Sequence, residues 1–329
     1  NDISLFFFHI KYMRAITHYH ALWPRQCQIY CDTGQEVSHT ATMDFNTWYI
    51  LLCVIAVVSL VAFIVQFRRT ANPSTTYQKY LRLLAIPFVV ECIYRSIFPS
   101  LYLQRFVVWD TIFNSILLDR TLAFFGEVAW TAQFSFVIIH LDSQLSSKKW
   151  VQICAYLAVI IYIVAEGMAY YNTATTNELW AANEVITEGF AFFFFFPATI
   201  SLLIRQKGYA WRYAKIYTAV LCLTALIYPL YNLLVDSKMY MKRYRQDQAN
   251  NKTYMNFLPG LEDAAVRRVK THQTTDWSTD MSWMVCYFSV ACWSSIMMMS
   301  PPEIVKPNDL EGKNSGTPLL SKNGSINQV

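Results

Sequence analysis

The chain has 329 residues, of which 54% are hydrophobic, 16% are aromatic and 15% are charged. Soluble domains average about a quarter charged residues, so this composition excludes a single soluble domain. The net charge of +5 does not indicate nucleic-acid binding, because the basic residues stand in short clusters between apolar runs. Such clusters set membrane topology. We therefore expect the lipid bilayer as a partner, and no nucleic acid.

Residues 1–47 are expected to form an extracytoplasmic segment, and they carry His18, His20, Cys27 and Cys31 in THYHALWPRQCQIYC. Together these side chains could supply four ligands to zinc, but the H-x-H and C-x3-C spacings are not a strong zinc signature. A disulfide between Cys27 and Cys31 is favoured, because no other cysteine falls in a predicted outer loop. Free thiols and zinc remain alternatives.

Seven apolar runs follow, and each has about the twenty residues that a helix needs to cross roughly 30 Å of hydrocarbon. The runs predict spanning helices at residues 48–67, 80–99, 111–140, 150–171, 183–204, 213–235 and 281–299. The sequence thus predicts an all-α polytopic membrane protein with a seven-transmembrane-helix bundle over residues 48–299. The bundle would lie in the plasma membrane, an endomembrane or another organelle membrane.

The charges of the predicted loops orient this bundle. The first, third and fifth loops are basic and lie on one face; they contain Arg68, Arg69, Lys79, Arg82, Lys148, Lys149, Arg205, Lys207, Arg212 and Lys215. Positive residues favour the cytoplasm, which predicts the N-terminus outside and the C-terminus inside. The basic segment DSKMYMKRYRQ argues against this orientation, but long loops constrain topology weakly. Residues 300–329, rich in Pro, Gly, Ser and Asn, predict a disordered cytoplasmic tail.

Residues 236–280 form a long outer loop in this topology. Asn251, in the sequence Asn-Lys-Thr, is a glycosylation acceptor that agrees with an outside location. The segment contains enough apolar and helix-forming residues to fold as a lid over a vestibule. The alternative is a partly ordered, glycosylated loop.

Ionisable residues inside the predicted helices are the main functional signal, because charges in hydrocarbon mark a functional interior by default. These residues are Glu91, Arg95, Asp119, Arg120, Glu127, Glu166 and Glu188. Glu91 and Arg95 are four apart, and Arg120 and Glu127 are seven apart, so each pair shares a helix face. Five acids against two arginines leave a surplus of three negative charges, which would attract a cation or take up protons.

Glu166 and Glu188 are predicted to lie roughly 9 Å outward of the membrane midplane. A purely structural interpretation makes the Glu91–Arg95 and Arg120–Glu127 pairs braces that set helix register. In that case Glu166 and Glu188 would lie near the interface and be hydrated.

These residues support three hypotheses about function. The leading one is a receptor-like or sensor protein that binds a small cationic ligand in an outward-facing charged cavity. The second is a proton-coupled transporter or ion-conducting protein that uses the same carboxylates. The third is a structural subunit of a larger membrane complex with membrane-protein partners. No catalytic motif, metal site or cofactor site is predicted, so an enzyme is the least favoured class.

Overall fold

The computed structural model describes residues 43–73, 75–207 and 212–304, and this part of the chain is mostly helical. Six of its helical segments are long and apolar enough to cross a membrane. They are Phe45–Arg69, Ile116–Gln144, Lys149–Thr175, Glu178–Arg205, Tyr213–Ala249 and Met281–Met298. The predicted all-α fold of membrane type is therefore confirmed in outline.

Helix α1 (Phe45–Arg69) shows why these segments suit a bilayer. Its buried residues Trp48, Leu52, Ile55 and Ser59 recur every three or four positions, so they occupy one face. The opposite face exposes apolar side chains such as Val57. A helix that is apolar on both its packed and its exposed face is typical of contact with lipid.

Helix α2 (Thr76–Ile97) is the long helix that falls outside this set of six. The hydroxyl of Thr75 caps it by accepting a hydrogen bond from the backbone N–H of Gln78, at 3.3 Å. It packs against α1 and against α3 (Ile116–Gln144). Two of its charged residues, Glu91 and Arg95, are buried.

Helices α4 (Lys149–Thr175) and α5 (Glu178–Arg205) form a tight antiparallel pair. Thr176 adopts a left-handed backbone (φ 55°), and the Asn177 side chain caps α5 by accepting from the N–H of Leu179 at 3.0 Å. This short turn sets the register between the two helices, so that Glu166, the acidic residue of α4, lies near Glu188 of α5.

The last two long segments each contain a π-helical stretch. Helix α6 (Arg212–Tyr231) continues through a π-helix at Asn232–Asp236 into α7 (Ser237–Ala249). Helices α10 (Met281–Cys286) and α11 (Cys292–Met298) are joined by a second π-helix at Tyr287–Ala291. Such stretches are uncommon and are often found at functional sites.

Between the long helices lies a small cap. Strand β1 (Ser100–Leu101) pairs antiparallel with β2 (Phe106–Val107), and β2 pairs parallel with β3 (Val269–Lys270). Further elements are a 3-10 turn at Ile112–Asn114, helix α8 (Phe257–Val266) and helix α9 (Thr274–Trp277). We call the β1–β2 hairpin, β3 and α8 the cap. Most of the predicted loop at residues 236–280 is therefore regular structure.

Candidate functional site

The centre of the site is the Arg95 guanidinium, which lies among three carboxylates. It donates to Glu91 Oε1 at 2.8 Å and to Glu127 Oε1 at 3.2 Å, and it lies 3.3 Å from Asp119 Oδ1. The predicted Glu91–Arg95 pair is thus present. Arg95 also contacts Asp119 and Glu127 of α3, so it links α2 to α3 in addition to pairing with Glu91 within α2.

A second arginine, Arg120, contacts carboxylates on α4 and α5. It forms a close ion pair with Glu166, and its Nη1 lies 3.5 Å from Glu184 Oε1. The predicted partner Glu127 is the most distant of the three, at 3.9 Å. The predicted Arg120–Glu127 pair is present, but the nearer carboxylates come from neighbouring helices.

Three glutamates from different helices converge beside Arg120. Glu127, Glu166 and Glu188 each offer a carboxylate oxygen, and these oxygens all lie within 4.8 Å of one another. We call Glu127, Glu166 and Glu188 the three-glutamate group. Glu166 is fully buried and Glu188 is 7% exposed, so the expected hydration of these two residues is not observed.

Neutral donors orient these carboxylates. Glu188 Oε2 accepts from the Tyr228 hydroxyl at 2.8 Å and from Asn232 Nδ2 at 3.3 Å. Glu127 Oε2 accepts from the Tyr162 hydroxyl at 3.3 Å. The carboxylates are thus held by side chains of α4, α6 and the first π-helix, which gives the site a defined geometry.

Together these residues form what we call the charge cluster. It comprises Glu91, Arg95, Asp119, Arg120, Glu127, Glu166, Glu184 and Glu188, and none of these residues is more than 9% exposed. Six acids stand against two arginines, so full ionisation would leave four uncompensated negative charges. An enclosed surplus of this size requires bound protons or a bound cation, because an isolated carboxylate in low dielectric is strongly disfavoured.

The cap closes one end of the cluster. The ring of Tyr102, between β1 and β2, lies 5.5 Å from the Arg95 guanidinium and 5.6 Å from that of Arg120. Both distances fall within cation–π range. The Ser100 hydroxyl also hydrogen-bonds the Asp119 carboxylate. The hairpin therefore contacts the charges directly.

Arg105 links this hairpin to α4 and α8. Its guanidinium donates to the carbonyls of Tyr102 and Thr173 at 2.7 Å each, and to Asp263 Oδ2 at 2.9 Å. Burial lowers the pKa of Arg105, and the nearby Asp263 carboxylate opposes this change. Gly260 lets α8 approach α4, since a Cβ there would lie 2.6 Å from the Ala174 carbonyl carbon.

The cluster lies nearer to the cap than to the opposite ends of the helices. At a rise of 1.5 Å per residue, Glu127 lies roughly 17 Å from the first residue of α3. By the same rule Glu188 lies roughly 15 Å from the first residue of α5, and Glu91 roughly 9 Å from the last residue of α2. All three distances place these acids deep within a membrane-length helix.

The structure brings all seven charged residues predicted from the sequence into one cluster; whether they bind a ligand or relay ions stays a prediction. Glu184 was not among the predicted residues, although it lies at the start of the fifth helix predicted at residues 183–204. Its position four residues before Glu188 was the signal available. The contacting tyrosines were also missed, since tyrosine is common throughout this sequence.

Other predicted sites lie outside the charge cluster. Cys27 and Cys31 lie outside the described residues, as do His18 and His20. Asn251 is exposed, with a left-handed backbone (φ 50°) just after α7, and its glycosylation stays a prediction.

Comparisons with known proteins identify no family for this chain: no family model, curated protein or solved structure matches it.

Proposed function

We propose that this protein moves or exchanges a cation across its membrane through the charge cluster, with the proton as the ion that the geometry supports best. The cluster would act within a bundle of seven crossings, with the N-terminus outside and the C-terminus inside. The observation that carries this proposal is the enclosed surplus of carboxylates over arginines.

Helix α2 would be the seventh crossing. Its 22 residues correspond to roughly 33 Å, enough for the hydrocarbon layer. Its low apolarity reflects four charged residues: Lys79 and Arg82 lie toward its first end, and Glu91 and Arg95 are buried against the bundle and so need not meet lipid. The proposed orientation rests on the basic loops that precede α2, α4 and α6.

The charge surplus favours ion handling over a purely structural role. A fixed brace is most stable when its charges match, because each unpaired buried ion carries a desolvation cost. Here each arginine contacts three carboxylates, and several carboxylates must share protons or a cation. Shared, closely spaced carboxylates that exchange protons are the chemistry of intramembrane relays.

The receptor-like function and the structural-subunit function remain predictions from the sequence. A receptor of that kind would need an outward cavity at the charged residues, whereas here the cap lies against them. No contact of the described residues specifically favours a cationic organic ligand or a membrane-protein partner.

Proton movement can be measured with the full-length protein in liposomes that contain a pH-sensitive dye. A potassium gradient with valinomycin supplies the driving voltage. We expect proton flux well above that of protein-free liposomes, and a loss of at least about tenfold in Glu166→Gln, because the substitution removes a relay carboxylate.

Glu262→Gln is the matched control, since Glu262 is an exposed acid of the cap helix α8. It should leave the flux unchanged. Size-exclusion profiles of both variants should match the wild type before reconstitution. Flux equal to that of empty liposomes, or flux that Glu166→Gln does not reduce, would overturn the proposal.

A further inference from the structure

We propose that the three-glutamate group is a binding site for a hard divalent cation of the Mn²⁺, Mg²⁺ or Ca²⁺ class. This inference rests on the proposed function, because it names a second cation that would occupy the same carboxylates as protons. Metal binding would then release protons, which couples the two ions chemically.

The first support is convergence. Glu127, Glu166 and Glu188 come from α3, α4 and α5, and their ligand oxygens lie within 4.8 Å of one another. Three carboxylate oxygens at this spacing can surround one ion at the metal–oxygen distances of about 2.0–2.6 Å that these cations require. All ligands are oxygens, which favours hard cations over zinc or copper.

The second support is a pair of buried polar atoms that make no hydrogen bond of regular geometry. Glu166 Oε1 is buried and accepts no hydrogen bond, although Glu166 Oε2 is paired with Arg120. The Tyr287 hydroxyl likewise makes no hydrogen bond of regular geometry, and Tyr287 is only 9% exposed. The nearest member of the three-glutamate group that it interacts with is Glu127. A cation would satisfy both oxygens.

The surrounding donors resemble the outer shell of a metal site. Tyr228 and Asn232 both donate to Glu188 Oε2, which leaves the other oxygen of Glu188 available. Tyr162 donates to Glu127 Oε2, and Arg95 donates to Glu127 Oε1, so both oxygens of Glu127 are oriented. Ligating carboxylates in metalloproteins are commonly oriented by such hydrogen bonds.

Both π-helical stretches begin at residues of this site. Asn232 is the first residue of one and contacts Glu188, whereas Tyr287 is the first residue of the other and lies against Glu127. A π-helix changes the direction of side chains relative to a regular helix, and it is retained most often where function needs that change. Its occurrence twice around one group of carboxylates supports a binding role.

Arg120 sets the expected strength of binding. It is paired with Glu166 and lies 3.9 Å from Glu127, so it offsets part of the negative charge that would attract the ion. We therefore expect reversible binding, as suits an exchanged ion, in place of a permanently held structural metal.

The test measures Mn²⁺ binding to the purified full-length protein. Binding is monitored through the decrease of the electron paramagnetic resonance signal of free Mn²⁺. We expect saturable binding of one Mn²⁺ per chain, with competition by Ca²⁺. Glu188→Gln should weaken binding by at least about tenfold, because it removes one charged ligand. Glu262→Gln, at the exposed acid of α8, should not change it.

Tyr287→Phe gives a second test that does not remove a charge. Without metal, loss of a buried hydroxyl that makes no hydrogen bond of regular geometry should change the stability of the folded protein little. We expect the Mn²⁺ affinity of Tyr287→Phe to be several-fold lower than that of the wild type. Unchanged Mn²⁺ affinity in both Glu188→Gln and Tyr287→Phe would overturn the inference.

The two proposals fail in different ways. Absence of saturable Mn²⁺ binding, together with proton flux that still depends on Glu166, would overturn the metal site and leave the proposed function in place. Saturable Mn²⁺ binding that Glu188→Gln weakens, in a protein that moves no protons, would support the site and overturn proton movement.

Discussion

Replacement of Gly126 by alanine probes the packing that brings Glu91 into the charge cluster. A Cβ at this position would lie 2.8 Å from Glu91 Cβ and 3.1 Å from Glu91 Cδ. Glu91 is fully buried and is paired with Arg95, so it cannot move into solvent to relieve the contact. The Glu91 side chain or the α2 backbone would have to shift.

Gly167→Ala is the matched control, because Gly167 also lies inside a long helix but a Cβ there meets nothing within 4 Å. Alanine gains roughly 1 kcal/mol of helix propensity over glycine at either position. Overpacking at Gly126 costs about 1–3 kcal/mol. We therefore expect Gly126→Ala to be less stable than Gly167→Ala by about that overpacking cost.

The measurement is the free energy of unfolding of the purified protein in mixed micelles, from the midpoint of an SDS titration followed by circular dichroism. Gly167→Ala should unfold at or above the wild-type midpoint, and Gly126→Ala below that of Gly167→Ala. Equal midpoints for the two variants would refute the close approach of α2 and α3 at Glu91, and with it the position of this acid in the cluster.

Two further substitutions, the first with a matched control, test contacts between distant segments of the chain. Arg105→Gln removes a charge-assisted contact with Asp263 and leaves backbone carbonyls without their donor, so we expect a loss of about 2–4 kcal/mol in the SDS titration. Arg267→Gln should cost under about 1 kcal/mol, since its side chain is 55% exposed and lies 3.8 Å from Asp263; equal losses would contradict the role of Arg105. Trp48→Phe should lower the unfolding free energy by about 1–3 kcal/mol, because the Trp48 indole donates to the Met281 carbonyl at 3.1 Å inside the bundle. An unchanged unfolding free energy in Trp48→Phe would contradict the contact between the first and last long helices.

The long helices illustrate what can be predicted locally. The run at residues 48–67 was recognised from its length and apolarity alone, and the structure extends it to Phe45–Arg69. Other predicted boundaries differ from the observed ones in both directions; the third helix, predicted at 111–140, is found at Ile116–Gln144. The sixth helix was expected to end at residue 235, but it passes through a π-helix and continues to Ala249. Polar residues there form a helix without an apolar run, which hydropathy cannot detect.

The charge cluster illustrates the limit of reasoning along single helices. Spacing of four identified Glu91 and Arg95 as a pair, because both residues lie on one helical turn. The same reasoning paired Arg120 with Glu127, whereas Glu166 and Glu184 lie nearer to Arg120. Helix geometry specifies which side chains share a face, but it does not specify which neighbouring helix that face meets.

The sequence did not predict a metal site, because it does not show which helices meet. Glu127, Glu166 and Glu188 belong to three helices, and no short motif connects them. The placement of the Tyr287 hydroxyl beside Glu127 is likewise a property of the packed bundle, since the two residues belong to distant segments of the chain.

The sequence by itself determined the membrane character of the chain and the identity of most charged residues in its interior. Both follow from local properties: the length of an apolar run, and the presence of ionisable side chains within it. Only the tertiary structure decided which carboxylates share each arginine, how three glutamates converge, and that a cap held by Arg105 lies over them. These features depend on contacts between distant segments, and their geometry exists only once the helices have packed.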